Sequence, residues 1–204
     1  MFSLFRKKST TAPQAAAIPD PAPASAATAS YKTPEFGTRL KALLQGSKFI
    51  YRDVLLTAEQ LALYRIGTFF REPTFFDTTS RFGGLVANTR FLVVSSCPRD
   101  LSALSENPGW GLCVLGPDQL LKVIDVQCED EVAQVTLLHV PDGFEPYFRS
   151  VDASFFEDMV IPQTRAEFKE ALASPPVPEL ANDAWRARVS DAPGFAPDGK
   201  FRPA

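Results

Sequence analysis

Residues 85–96, Leu-Val-Ala-Asn-Thr-Arg-Phe-Leu-Val-Val-Ser-Ser, carry the strongest strand signal in the chain. β-Branched and aromatic residues, which pack well on a pleated sheet, are frequent in this segment. Three further apolar runs follow at residues 110–115, 120–128 and 132–140, and short turn segments join the last three. Because short connections between consecutive strands favour antiparallel pairing, we expect an antiparallel meander of about four strands.

Helix signals lie on both sides of this sheet. Thr33 and Pro34 precede an apolar stripe that ends near Gly46, which predicts a helix. Capping-box patterns open at Thr57 before the sheet and, after it, at the two positions Ser154 and Thr164. The expected fold class is therefore α+β: a single domain with an antiparallel meander of about four strands and flanking helices.

Two segments before residue 85 have weaker signals. Residues 48–56 are typical of a strand or an extended segment, and residues 66–84 are aromatic and rich in turn formers. We expect residues 66–84 to be mostly irregular.

The prolines are concentrated at the two ends of the chain. Residues 1–34 and 174–204 hold 11 of the 18 prolines, and 17 of the 20 residues in 11–30 are Ala, Pro, Ser or Thr. Such a segment buries too little apolar surface to offset the entropy of ordering it. Three regions are therefore predicted: a disordered basic tether (1–32), the α+β domain (33–173) and a Pro-rich tail (174–204).

The tail leaves two interpretations open. It is either disordered or held to the domain by its aromatic residues, Trp185, Phe195 and Phe201.

Charge and cysteine content restrict the function classes. Residues 35–173 hold 13 basic and 19 acidic residues, so the domain would repel a nucleic-acid backbone. Three cysteines cannot all pair within the chain, and their spacing does not suggest a disulfide framework. We therefore expect a reducing, cytoplasmic setting, and the composition suits a bacterial protein.

The N-terminal peptide could touch a membrane surface. Its apolar residues precede its charges, opposite to the order in a secretory signal. A weak peripheral contact would use Phe2, Leu4, Phe5, Arg6, Lys7 and Lys8. The alternative is a terminus without a role.

His139 is the single histidine, so any histidine-dependent mechanism must use it. Cys97 follows a predicted strand and precedes Pro98 in a loop, which makes it the better nucleophile candidate. Cys113 and Cys128 lie within or at the end of apolar runs and are interpreted as core residues. The alternative is that His139 and Cys97 are both structural, because a lone histidine or a free cysteine usually is.

Neither a metal nor a cofactor is predicted. The spacing between the cysteines and His139 lacks the close ligand pairs of structural zinc sites. Phosphate-binding loops and dinucleotide fingerprints are also absent from the sequence.

Arginine replaces lysine through the middle of the chain. Between Lys48 and Lys122 there are six arginines and not one lysine, and arginine suits the bidentate binding of carboxylate or phosphate. The candidate anion-binding residues are Arg71, Arg81, Arg90 and Arg99. The alternative is that they pair with acidic residues such as Asp53, Glu72, Asp77 and Asp100.

The aromatic loop offers a second candidate surface. Phe69, Phe70, Phe75 and Phe76 would form a protein-binding patch if they were exposed, and are otherwise core residues.

These observations favour a non-enzymatic protein-interaction module with another protein as its partner. The first alternative is a hydrolase or transferase for a small substrate, with an Arg-lined anion pocket and Cys97 or His139. The second is a secreted effector in which the disordered N-terminal segment serves for export.

Overall fold

The computed structural model describes residues 33–204, and within that range eight strands form one mixed sheet. The order across the sheet is β2-β7-β8-β4-β1-β3-β6-β5. The strands are β1 Lys48–Val54, β2 Phe69–Glu72, β3 Phe76–Thr79, β4 Thr89–Ser95, β5 Arg99–Asp100, β6 Leu112–Leu115, β7 Gln119–Glu129 and β8 Val132–Val140.

One parallel pair interrupts the otherwise antiparallel sheet of the described residues. Strands β4 and β8 run side by side in register from Thr89 opposite Ala133 to Val94 opposite Leu138. The remaining neighbours, including β7 with β8 and β1 with β4, are antiparallel. The parallel pair brings the C-terminal ends of β4 and β8 to the same edge of the sheet.

The prediction of a four-stranded antiparallel meander is wrong, although the α+β class agrees with the structure. The segment 110–115 was expected beside residues 85–96, but β1 and β3 lie between β4 and β6. Residues 66–84, expected to be irregular, contribute strands β2 and β3. Their side chains Phe70 and Phe76 are fully buried, which explains why this aromatic segment pairs into the sheet.

The α-helices are α1 Pro34–Gln45, α2 Ala58–Leu61, α3 Glu145–Phe148, α4 Ser154–Ala173 and α5 Asp183–Arg188. The predicted caps of the first two are confirmed. The Thr33 hydroxyl accepts the Phe36 N–H at 3.2 Å, and Thr57 with Gln60 forms a reciprocal capping box. The two capping patterns after the sheet do not open separate helices, because α4 continues through Pro162.

One face of the sheet is covered by α1, α3 and α4. Phe36, Phe148, Phe156 and Val160 pack there with sheet residues such as Leu92. The burial of these large apolar side chains holds the helices against this face of the sheet.

The other face is covered partly by residues 190–204. The Phe201 ring packs edge-on against Tyr64 and tilted against Phe70, and the Tyr64 hydroxyl donates to the Pro193 carbonyl at 2.6 Å. Gly194 has a φ of +78°, and a Cβ there would lie 2.5 Å from Phe70, so glycine allows this close approach. In the same tail Trp185 is buried and packs against Trp110. The aromatic residues of the tail thus contact the domain.

Among the described residues no helix is both long enough and apolar enough to cross a membrane. The predicted tether and the predicted membrane-contact residues Phe2, Leu4, Phe5, Arg6, Lys7 and Lys8 lie outside the described range and stay predictions.

Candidate functional site

A cavity of about 760 Å³ opens beside the C-terminal ends of β4, β6 and β8 and the N-terminal end of β7. Its walls combine apolar side chains with a few polar and charged groups, the usual composition of a small-molecule site. It is lined by Phe75, Asp77, Cys97, Arg99, Leu101, Val114, Leu115, Gly116, Pro117, Gln119, His139 and Arg188. Both sequence-predicted catalytic candidates, Cys97 and His139, are therefore in one cavity.

The parallel pairing of β4 and β8 brings these two residues together. Val94 lies opposite Leu138, so the next residues along the two strands, Ser95 and His139, are neighbours. Cys97 follows two residues after Ser95, where the chain has left β4. In the expected meander the 85–96 and 132–140 strands would not have been adjacent.

His139 has three polar side chains around its ring. Its Nδ1 lies 2.9 Å from Ser95 Oγ and 3.6 Å from Cys97 Sγ, and its Nε2 lies 2.7 Å from Gln119 Oε1. Ser95 Oγ also accepts the backbone N–H of Cys97 at 3.3 Å, which fixes the start of the loop against the ring. The imidazole thus lies between the Cys97 thiol on one side and the Gln119 amide on the other.

Burial controls the protonation of this imidazole. His139 is 2% exposed, and removal from water lowers its pKa from 6.5 to about 4, although the negative charge of Asp142 opposes the shift. The ring is therefore neutral at pH 7, which leaves a lone pair on one of its two nitrogens. Cys97 is exposed, so its thiol is open to the cavity while the base behind it is not.

Two arginines reach the cavity. Arg188, at the end of α5, is paired with Asp77 at 2.8 Å. Arg99 is exposed and forms no ion pair within residues 33–204. Arg99 is thus the cation available to an incoming anion.

The other three arginines proposed from the sequence are elsewhere. Arg90 is buried in a bidentate pair with Asp53, with its Nε 2.8 Å from Oδ1, as the alternative interpretation expected. Arg71 is partly exposed near Asp118 and Glu145, and Arg81 donates to the Gly109 carbonyl. The four arginines do not form one pocket.

The phenylalanines proposed as an interaction patch are divided in the same way. Phe69, Phe70 and Phe76 are buried in the core, whereas Phe75 is 67% exposed and lies at the cavity. Of these four phenylalanines, Phe75 alone is therefore accessible to a partner.

The remaining cysteines are distant from this chemistry. Cys113 is buried within β6, and burial raises the pKa of its thiol. Cys128 is exposed near the end of β7, although the sequence suggested a core position. Within residues 33–204 there is no group of three or more His, Cys, Asp or Glu side chains that could hold a metal ion.

Sequence reasoning missed three members of the site, Ser95, Gln119 and Arg188, and named Asp77 only as a pairing partner for the arginines. Ser95 and Gln119 are single polar residues at strand ends, and their importance depends on β4 and β7 both flanking β8. Arg188 lies in the tail, more than 80 residues from Arg99 in sequence. A sequence pattern at fixed spacing could not have found these contacts.

No protein-family model matches the chain, and no curated protein sequence matches it. Solved structures give partial matches. The ADP-ribosyltransferase HopU1 of Pseudomonas syringae pv. Tomato DC3000 is 20% identical over 46% of this chain and 45% of that one, with a TM-score of 0.42. The match thus spans less than half of either protein.

Two other solved structures match with similar TM-scores but different coverage. The ATR domain of Salmonella SpvB is 14% identical over 46% of this chain and 62% of its own, at a TM-score of 0.40. Exoenzyme S from Pseudomonas aeruginosa is 13% identical over 61% of this chain and 81% of its own, also at 0.40. At these values the similarity assigns no substrate, cofactor or catalytic residue to this chain.

The prediction of a non-enzymatic protein-interaction module is wrong. The solved structures that match part of this chain include ADP-ribosyltransferases, which are enzymes and not interaction modules. Exoenzyme S was solved in complex with human 14-3-3 protein beta, bound to Carba-NAD, and a protein partner for this chain stays a prediction. The comparisons do not support the predicted membrane contact.

Proposed function

We propose that the protein is a cysteine-dependent transferase or hydrolase for a small anionic substrate, with Cys97 as the nucleophile and His139 as its general base. The observation that carries this proposal is the 3.6 Å separation of Cys97 Sγ from His139 Nδ1 inside the cavity. A thiol beside a neutral imidazole is the arrangement that nucleophilic catalysis by cysteine requires.

The first step forms the nucleophile. His139 Nδ1 takes the thiol proton, and the Cys97 thiolate attacks an electrophilic carbon of the substrate. The bond from that carbon to its leaving group breaks, and the leaving group takes the proton from the imidazolium. A water molecule or an acceptor then displaces Cys97, with His139 accepting and returning a proton once more.

The thiol is the group that a substrate can reach. Ser95 also lies against Nδ1, but it is 1% exposed and does not line the cavity. Cys97 is exposed on the cavity wall. We therefore assign the nucleophile to sulfur and assign no catalytic role to the Ser95 hydroxyl.

Arg99 supports the choice of an anionic substrate. It is two residues from Cys97, lines the same cavity and lacks an acidic partner among the described residues. A carboxylate or phosphate bound to its guanidinium would lie close to the thiol. The apolar side chains of Leu101, Val114 and Leu115 would then contact the uncharged part of the substrate.

Alkylation tests the nucleophile without a known substrate. Iodoacetate and neutral iodoacetamide would be reacted with the protein and each cysteine followed by peptide mass spectrometry. Cys128 is exposed and has no hydrogen bond to a histidine, so it serves as an internal reference. We expect Cys97 to react at least about tenfold faster than Cys128 and His139→Asn to abolish that advantage.

The same reagents test the anion site. Arg99→Gln should reduce the rate with iodoacetate and leave the rate with iodoacetamide unchanged, because only iodoacetate carries a charge. Turnover of carboxylate-bearing aryl esters should fall roughly 100-fold or more in Cys97→Ser. Equal reactivity of Cys97 and Cys128, together with unaltered turnover in Cys97→Ser, would overturn the proposal.

A further inference from the structure

Gln119 contacts His139 on the side of the ring opposite Cys97. It is the first residue of β7, which pairs with β8 so that Leu121 is opposite His139. Gln119 therefore lies on the same face of the sheet as His139, at a diagonal position that a long side chain can span. Its Oε1 lies 2.7 Å from His139 Nε2.

A second contact fixes which end of the amide faces the ring. Gln119 Nε2 donates to the backbone carbonyl of Pro117 at 3.1 Å, so the carbonyl end of the amide is directed at His139. A carbonyl oxygen can only accept a hydrogen bond. His139 Nε2 must therefore carry the hydrogen in this contact.

A neutral imidazole has a single N–H, so a hydrogen on Nε2 leaves a lone pair on Nδ1. That lone pair faces Ser95 Oγ at 2.9 Å and Cys97 Sγ at 3.6 Å. Without the Gln119 acceptor, the ring could take the opposite tautomer, with Nδ1–H donating to Ser95. That tautomer could not accept the thiol proton.

We propose that Gln119 is a positioning residue that holds His139 as the Nε2–H tautomer and so directs the basic Nδ1 at Cys97. The role of Nδ1 as a base rests on the proposed function, whereas the tautomer itself does not. The groups that face His139 are Ser95 from β4, Cys97 from the following loop, Gln119 from β7 and, through its charge, Asp142 after β8.

The sole histidine makes a direct test feasible. Protein labelled with ¹⁵N-histidine gives the two ring nitrogens of His139 without overlap from another histidine. At pH 7 we expect Nε2 to have the shift of a protonated nitrogen and Nδ1 that of an unprotonated one. In Gln119→Leu the two shifts should move towards each other, as the tautomers mix.

Two further variants separate positioning from a general disturbance. Gln119→Glu keeps an acceptor at the same place and should retain the wild-type tautomer. Gln127→Leu alters a glutamine of the same strand, paired with Gln134 instead of His139, and should leave both shifts unchanged. An Nδ1–H tautomer in the wild type, or an unaltered spectrum in Gln119→Leu, would overturn the proposal.

Alkylation of Cys97 gives the functional readout. We expect its rate to fall roughly threefold in Gln119→Leu and to recover in Gln119→Glu, a smaller loss than the roughly tenfold or greater loss expected when the base itself is removed. If the tautomer responds to Gln119 while the Cys97 rate is insensitive to His139→Asn, the proposed function fails and the tautomer assignment stands. If Gln119→Leu does not fold, the wild-type and Gln119→Glu spectra still decide the assignment.

Discussion

The two ends of strand β4 hold polar clusters of opposite character. At its start, Arg90 is 3% exposed and donates to both carboxylate oxygens of Asp53 and to the carbonyls of Gly83 and Gly84. At its end, Ser95 and Cys97 surround one nitrogen of His139 beside an open cavity. The first cluster has its hydrogen bonds satisfied within the protein, while the second has a thiol that a substrate can reach.

Accessibility from the cavity distinguishes the reactive polar cluster from the structural one. Both clusters are built on β4, and both depend on partners distant in sequence. They differ in that the second cluster has a nucleophilic thiol that is accessible from the cavity. The four predictions below test that distinction, in order of decreasing effect.

The largest effect is expected at the closed end. Asp53→Ala would leave the Arg90 guanidinium buried without its counter-charge, and would also remove the acceptor of the Val86 N–H. We expect the free energy of unfolding, measured with urea, to fall by about 3–5 kcal/mol. Asp158→Ala, at an exposed acid without an ion pair among the described residues, should change it by less than about 0.5 kcal/mol. A loss below about 1 kcal/mol for Asp53→Ala would show that the pair is not structural.

The next effect is a pH dependence at the open end. In the unfolded chain histidine titrates near 6.5, whereas the pKa of folded His139 is about 4, so between these values the unfolded state binds more protons. The stabilisation is fully present above pH 6.5 and is lost as the pH falls towards 4, by roughly 3 kcal/mol in all.

Urea unfolding at pH 7 and at pH 4.5 would measure this loss. His139→Asn removes the titrating group and should reduce the difference between the two pH values. Parallel pH profiles for the wild type and this variant would contradict the low pKa of His139.

A smaller effect is expected for the Ser95 hydroxyl. Ser95→Ala removes a donor to His139 Nδ1 and the acceptor of the Cys97 N–H, which should cost about 1 kcal/mol in urea unfolding. Because the Nδ1 lone pair is then free for the thiol, we expect Cys97 alkylation to become faster. Slower alkylation would mean that Ser95 assists the base and does not compete with the thiol.

The smallest change in stability is expected for the nucleophile itself. Cys97→Ala removes an exposed side chain, so the free energy of unfolding should change by less than about 0.5 kcal/mol. The same substitution should abolish turnover of the carboxylate-bearing aryl esters. A large loss of stability would instead indicate that Cys97 is structural, as Arg90 is.

Parts of the fold were accessible from the sequence because local patterns decide them. The helix start at Thr33 and the capping box at Thr57 depend on neighbours within one turn, and both were predicted correctly. The apolar run at 132–140 coincides with β8. Strand order was not accessible, because the apolar run of β4 reads the same whether its neighbour is β6 or β8.

The candidate site was accessible only in part for the same reason. His139 could be selected because it is the single histidine, and Cys97 because it follows a strand. Gln119 had no distinguishing feature, since a glutamine at a strand end is ordinary until its contact with His139 is known. Arg90 was selected as an anion binder on residue type, but its burial beside Asp53 depends on the antiparallel register of β1 and β4.

The parallel pairing of β4 with β8 has a consequence for the order of folding. Cys97 and His139 are brought together by contacts between strands separated by more than 35 residues, and such non-local pairing forms slowly because a long loop must close first. A partly folded chain, even one with the local β7–β8 hairpin formed, has no imidazole beside its thiol. The enhanced reactivity of Cys97 should therefore develop late during refolding. The rate of Cys97 alkylation at successive refolding times would report when β4 pairs with β8.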